Sequence, residues 1–141
     1  MIRSIILFLV VISLNAFACS CINETTEEYF SDSSKVALGR IMKMEIVFDE
    51  QEAPFQKITL DTSNNFKGEF NNVIFSKLDG NRCDGIFFML GREYLVFLDQ
   101  NNWVTGTCGG TQEILPNNQE HQKVIKKVKK LSPNKKINKD T

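Results

Sequence analysis

Four cysteines, Cys19, Cys21, Cys83 and Cys108, constrain this chain more than anything else in it. What they do depends on the compartment, and residues 1–18 specify one. Arg3 is followed by an apolar run over 5–12, then Ser13-Leu14-Asn15 and the small-residue pattern Ala16-x-Ala18. A basic start, an apolar centre of about ten residues and an Ala-x-Ala end predict a secretory signal peptide cut after Ala18. The run falls short of the roughly 18–20 apolar residues that a membrane span needs. Export, whether extracellular or periplasmic, implies an oxidising environment in which disulfides persist. An even number of cysteines there predicts a disulfide framework. Joining Cys19 to Cys21 would close a very tight, strained ring. The two other pairings both staple the front of the mature chain to its middle and its later part. Each closes loops of more than sixty residues, worth roughly 4 kcal/mol apiece in the chain-entropy model.

The cut has a second consequence. Cys19 becomes the first mature residue and carries a free α-amino group, with Cys21 two positions on. Residues 19–131 then form one domain, and 132–141 a lysine-rich tail too polar to pack. Removing Arg3 leaves 16 basic and 17 acidic residues, but they are segregated. Residues 19–116 hold 8 basic and 15 acidic side chains, whereas 117–141 hold eight lysines against Glu120 and Asp140. An acidic, exported body argues against nucleic acid as a partner.

The hydrophobic periodicity is mostly that of strands. Thr25 with Glu28 three residues later has capping-box spacing and opens a short helix carrying Tyr29 and Phe30. Alternating apolar residues from Lys35 to Phe48 predict a long strand, with Gly39 marking a bulge or bend. Further strands are expected over 55–62 running on toward Phe66-Lys67-Gly68, from Phe70 to the turn cluster Asp79-Gly80-Asn81, over 93–98 and over 103–108. The run Glu93-Tyr94-Leu95-Val96-Phe97-Leu98 reads as buried on both faces. Short strands separated by turn clusters predict a small barrel or sandwich. Val124, Ile125, Val128 and Leu131 then recur at helical spacing, with Asn117 or Asn118 to cap the start and Ser132-Pro133 to stop it. Trp103, Tyr94 and the phenylalanines are expected in the core.

On these residues the chain resembles the netrin-like modules, and above all the inhibitory domain of the tissue inhibitors of metalloproteinases. Cys19-Ser20-Cys21 stands at the mature end, and Val36-Ala37-Leu38-Gly39-Arg40 is similar to the family's first strand. Phe66-Lys67-Gly68 matches an aromatic-Lys-Gly step, Cys83 precedes Gly85 by two positions, and Glu93-Tyr94-Leu95-Val96-Phe97 leads to Thr107-Cys108 and a terminal helix. The resemblance implies a mainly β fold with flanking helices: a five-stranded OB-type Greek-key barrel, a short N-terminal helix and a C-terminal amphipathic helix. It also implies the pairs Cys19–Cys83 and Cys21–Cys108. The sequence departs from the animal inhibitors in lacking their third disulfide and their second domain. Ile22-Asn23-Glu24 also replaces a proline-containing stretch.

The function implied is inhibition of zinc metallopeptidases by chelation of the target's zinc. A catalytic zinc holds three protein ligands and leaves a position for water. The α-amino nitrogen and carbonyl oxygen of Cys19 can close a five-membered chelate there and displace that water, which is the nucleophile. The amine must be neutral, and a reference pKa of about 7.7–8.0 makes that inexpensive near neutrality. Ser20, Cys21 and Ile22 would contact the target. No cofactor of the chain's own is expected, since the zinc belongs to the enzyme, and the inhibitor is expected to be a monomer. The alternative is a non-inhibitory secreted netrin-like module that binds a protein or ligand. It would touch a membrane only if Cys19 were lipidated; lipoprotein signals usually place Leu three residues ahead, where this chain has Ala16. An enzyme is not expected. The sole histidine, His121, lies in the lysine-rich terminal helix, and no catalytic cluster assembles around one histidine.

Overall fold

A computed structural model describes residues 21, 24–69, 71–78, 83 and 85–133. The expected leader and nearly all of the expected tail lie outside these residues. The described chain is mainly β, with one helix before a five-stranded antiparallel sheet and one after it.

Helix α1 (Thr26–Asp32) begins where the capping box predicts. Thr25 accepts from the Glu28 amide, and the Glu28 carboxylate accepts from the Thr25 amide. Strands β1 (Lys35–Phe48) and β2 (Pro54–Lys67) form a long hairpin, and β3 (Val73–Lys77) lies on the outer side of β2. Strand β4 (Glu93–Leu98) pairs with the first half of β1 only, from Lys35 to Arg40. The sheet order is β3-β2-β1-β4-β5.

β1 bends because its register with β2 shifts three times, between Val36/Ala37, Leu38/Gly39 and Ile41/Lys43. Each shift sets extra backbone on one strand against its partner and increases local twist. Gly39 permits the tightest of these contacts, since a Cβ there would lie 2.8 Å from the Asp61 carbonyl oxygen.

The bend creates two cores on opposite faces of one sheet. Ala37, Ile41, Ile58, Leu60, Ile74, Tyr94, Val96 and Leu98 fill the concave side with Phe88 and Val104. Val36, Leu38, Leu95 and Phe97 point the other way and meet Phe30 of α1 and Ile125 and Val128 of helix α2 (Gln119–Leu131). β4 alternates between these cores, so five of its six residues are buried. This is why it reads as a continuous apolar run. Asn118 caps α2 by accepting from the Glu120 and His121 amides. Polar ties close the packing: Lys67 donates to the Phe30 and Ser31 carbonyls, and Ser132 donates to the Phe66 carbonyl at 2.8 Å. Ser132 is thus fastened to the body.

Two expectations need correction. The run 103–108 is not a continuous strand. Trp103 and Val104 make isolated bridges to Phe75 and Leu98, after which the chain turns. Gly106 and Gly110 take positive φ angles of 88° and 81°, which break an extended path. The fifth paired strand is β5 (Gln112–Glu113), which carries no apolar alternation to announce it. The aromatics, too, are not all core. Phe30, Phe66, Phe88, Tyr94 and Phe97 are buried, but Phe48 and Phe87 are 64% and 68% exposed. Phe55, Phe75 and Trp103 stack on one another with ring centroids 5.3–6.0 Å apart, half-buried on the convex side of β2 and β3.

Candidate functional site

The candidate site is the end of the sheet where the cysteines gather. Cys21 and Cys108 form a disulfide with their Cα atoms 5.3 Å apart, joining positions 87 residues apart in sequence. Cys83 is also disulfide-bonded. Its expected partner, Cys19, lies outside the described residues, as do Ser20 and Ile22. Of the four residues expected to meet a target, the described structure therefore places Cys21, which is exposed.

Neutral hydrogen bonds fix the ground on which this end stands. The Thr107 amide donates to the Cys83 carbonyl at 3.0 Å, and the Thr107 hydroxyl donates to the Gly85 carbonyl at 2.9 Å. These bonds lay the segment entering at Cys83 alongside the turn that carries Cys108. Gly85 passes so close to β3 that a Cβ would sit 1.9 Å from the Lys77 carbonyl oxygen. On the far side, a Cβ on Gly110 would meet the Tyr29 ring at 2.6 Å. Tyr29 also packs 6.0 Å from Phe97, and its burial raises the phenol pKa. α1 is thereby pressed onto the Cys108 turn. Between them lies a shallow pocket of about 260 Å³, lined by Glu24, Tyr29, Phe97, Thr107 and Thr111, among others.

A second layer holds the first. Ser76, fully buried on β3, donates its hydroxyl to the Ile86 carbonyl at 2.7 Å and accepts from the Ile86 amide at 2.8 Å. Buried Gln56 on β2 accepts from the Phe88 amide at 3.2 Å. The Tyr94 hydroxyl accepts from the Met89 amide, and burial raises its pKa. Residues 86–89 therefore cross the concave face on three polar side chains, with the Phe88 ring wedged against Tyr94 at 4.7 Å. None of these anchors follows from the sequence pattern. Ser76 and Gln56 sit at strand positions where a buried apolar residue would fit the alternation equally well. Thr107 carries no signal beyond its place next to a cysteine.

Other polar groups have structural tasks. His121 Nδ1 accepts from the Leu115 amide at 3.0 Å, which holds the turn before α2. Lys127 pairs with Glu27 at 2.6 Å and ties α2 to α1; this contact is the main cause of the lowered Glu27 pKa. Lys43 pairs with Glu45 on β1 at 2.8 Å and lowers the Glu45 pKa. Among the described residues, no three His, Cys, Asp or Glu side chains converge to hold a metal ion. Also among them, no helix is long and apolar enough to cross a membrane. The sequence matches no protein-family model, and a comparison with curated proteins likewise finds no match.

Proposed function

We propose that the chain is an exported inhibitor of zinc metallopeptidases that offers the α-amino nitrogen and carbonyl oxygen of Cys19 to the target's metal. The observation that carries this reading is the Cys21–Cys108 disulfide beside a second disulfide at Cys83. It fastens the chain two residues from the proposed amine, on a turn already braced by Thr107 and Tyr29. A leading end held this way loses little freedom on binding, so more of the contact energy appears as affinity. Ser20 would enter the enzyme's first primed pocket, and Cys21 and Ile22 would line the approach. The chain itself catalyses nothing in this scheme.

The fold lends support. An OB-type barrel needs β3 to meet a later strand in parallel and β4 to meet that strand in antiparallel fashion. The Phe75–Trp103 and Leu98–Val104 bridges have those senses. The Phe75 amide donates to the Asn102 carbonyl at 3.0 Å, and the Val104 amide donates to the Phe75 carbonyl at 2.9 Å. The disulfides themselves agree with an oxidising, exported setting.

The test compares three forms of the purified protein against a panel of zinc endopeptidases. One begins at Cys19, one carries an added residue before it, and one is Nα-acetylated at Cys19. Inhibition by the first alone is expected. Equal inhibition by the extended form sinks the chelation mechanism, and failure of the native form against every zinc endopeptidase tried sinks the inhibitory reading. Binding without inhibition would favour the non-inhibitory module instead.

A further inference from the structure

Among the described residues, β1 carries an unpaired edge. Beyond Arg40 it leaves β4, and the last backbone bonds on that side join the Ile41 amide to the Arg92 carbonyl and the Ile41 carbonyl to the Gly91 amide. From Lys43 to Phe48, β1 is paired with β2 alone among the described residues. The direction of each backbone group follows from alternation. The Asp49 amide donates across the hairpin to the Ala53 carbonyl, so odd-numbered residues here bond to β2. The Leu60 amide donates away from β1, to Asn72, and its even-numbered neighbours on β2 face the even-numbered residues of β1. Met44, Ile46 and Phe48 therefore turn their N–H and C=O groups outward along the free edge.

Native sheets blunt such edges with charge, proline or cover. Here charge lies on one face only: Lys43 and Glu45 alternate with Met44, Ile46 and Phe48, and Ile46 and Phe48 are exposed at 62% and 64%. We propose that the edge is an interface, and that its occupant is a second copy of this chain, paired antiparallel about a two-fold axis through Ile46. This replaces the monomer expected from sequence and does not depend on the inhibitory reading.

Self-complementarity selects both the occupant and the register. In a symmetric antiparallel pair, each residue meets the one equally far beyond the axis. An axis at Glu45 sets two glutamates face to face, and an axis at Val47 sets Glu45 against Asp49; both oppose like charges. An axis at Met44 drives Phe48 onto Arg40, whose edge Glu93 already occupies. An axis at Ile46 avoids all three faults. Lys43 then faces the second copy's Asp49, Met44 faces its Phe48, and Ile46 faces its own equivalent. Every outward amide and carbonyl from Met44 to Phe48 gains a partner. The even-numbered side chains of both copies form one apolar surface on the concave side. Asp49 Oδ1 caps the turn by accepting from the Gln51 and Ala53 amides, which leaves Oδ2 for the second copy's Lys43, a side chain that pairs with Glu45 of its own strand in the single chain.

The test is sedimentation of the full mature protein from about 1 µM to about 500 µM. A monomer–dimer equilibrium is expected. Ile46→Lys places like charges on the axis and should weaken the dimer by about tenfold or more, with circular dichroism and Tm unchanged at concentrations where both proteins are monomers. Ile46→Cys should give an intermolecular disulfide on oxidation, since hydrogen-bonded antiparallel partners lie about 5.5 Å apart, within disulfide reach. Val47→Cys, facing Glu45 of the second copy, should not. A monomer at every concentration overturns the proposal, including the case in which the edge pairs with another protein's strand. A dimer indifferent to Ile46→Lys overturns it as well, and cross-linking through Val47→Cys in place of Ile46→Cys overturns the register.

Discussion

Ser76→Ala removes one oxygen and strands two backbone groups. The Ser76 hydroxyl donates to the Ile86 carbonyl at 2.7 Å and accepts from its amide at 2.8 Å. With Ser76 at 0% exposure, no water is on hand to replace it from the β3 side. A buried unsatisfied polar group costs about 1–3 kcal/mol. Ile86 is only half-buried, so part of each penalty is recovered from solvent. The expected loss is about 2–3 kcal/mol for the pair, which for a domain of this size lowers Tm by about 10 °C. Urea denaturation should show a lower midpoint with an unchanged m-value, because the surface exposed on unfolding is the same. Hydrogen exchange should show the Ile86 amide speeding up more than amides in β4. Ser63→Ala is the control: Ser63 is exposed and donates a longer 3.2 Å bond to the Leu38 carbonyl, so it should change stability by no more than about 0.5 kcal/mol. If Ser76→Ala stays within that same range and Ile86 exchange does not move, the clamp is ornamental and the reasoning fails.

Replacing Cys21 and Cys108 together by alanine opens a loop spanning 87 residues. The chain-entropy model puts this at about 4–5 kcal/mol; the remaining disulfide at Cys83 already restricts the unfolded chain, so about 2–4 kcal/mol is expected in urea, and a loss under about 1 kcal/mol would contradict the staple. The Glu27–Lys127 pair predicts a pH dependence of definite sign. Lys127 lowers the Glu27 carboxyl pKa in the folded state relative to its ordinary value of 4.5. Its stabilisation is therefore fully present above about pH 4.5 and disappears as the pH falls through the lowered value. Comparing Tm of the parent and Lys127→Met at about pH 6 and about pH 2.5 should show a difference only at the higher pH; an equal difference at both would rule out an ionic origin.

What the sequence disclosed, and what it hid, divides along a physical line. α1, β1, β4 and α2 were legible because each writes a local rule into its own residues: a capping box at Thr25 and Glu28, alternation around Gly39, a run packed on both faces, a 3.6-residue stripe capped by Asn118. β5 and the turn after Val104 were not. Gln112 and Glu113 pair with Leu95 and Tyr94 only because the glycine-rich turn delivers them there. The Cys21–Cys108 pairing was open to the residues alone and came from family likeness. Cys19, Ser20 and Ile22 lie outside the described residues, so their proposed roles rest on sequence. Ser76, Gln56 and Thr107 were invisible because their partners are backbone groups of a distant segment, and backbone carries no sequence signal.

Those hidden residues bear on the proposed mechanism through position rather than chemistry, and the two can be told apart. A chain of ties ends at Cys21, two residues along the sequence from the proposed amine: Ser76 holds Ile86, Thr107 holds Gly85 and Cys83, and Cys108 holds Cys21. Loosening a link leaves the chelating atoms intact but obliges binding to order them again, at about 0.5–1.5 kcal/mol per side chain freed. Ser76→Ala or Thr107→Val should therefore weaken inhibition by about 3- to 10-fold and raise the dissociation rate. Extension of the N-terminus, by contrast, removes the metal ligand altogether and should abolish inhibition with no change in urea stability. A ranking in which the clamp variants inhibit no better than the extended form would mean that the rigid end is itself the inhibitory surface and the amine a bystander.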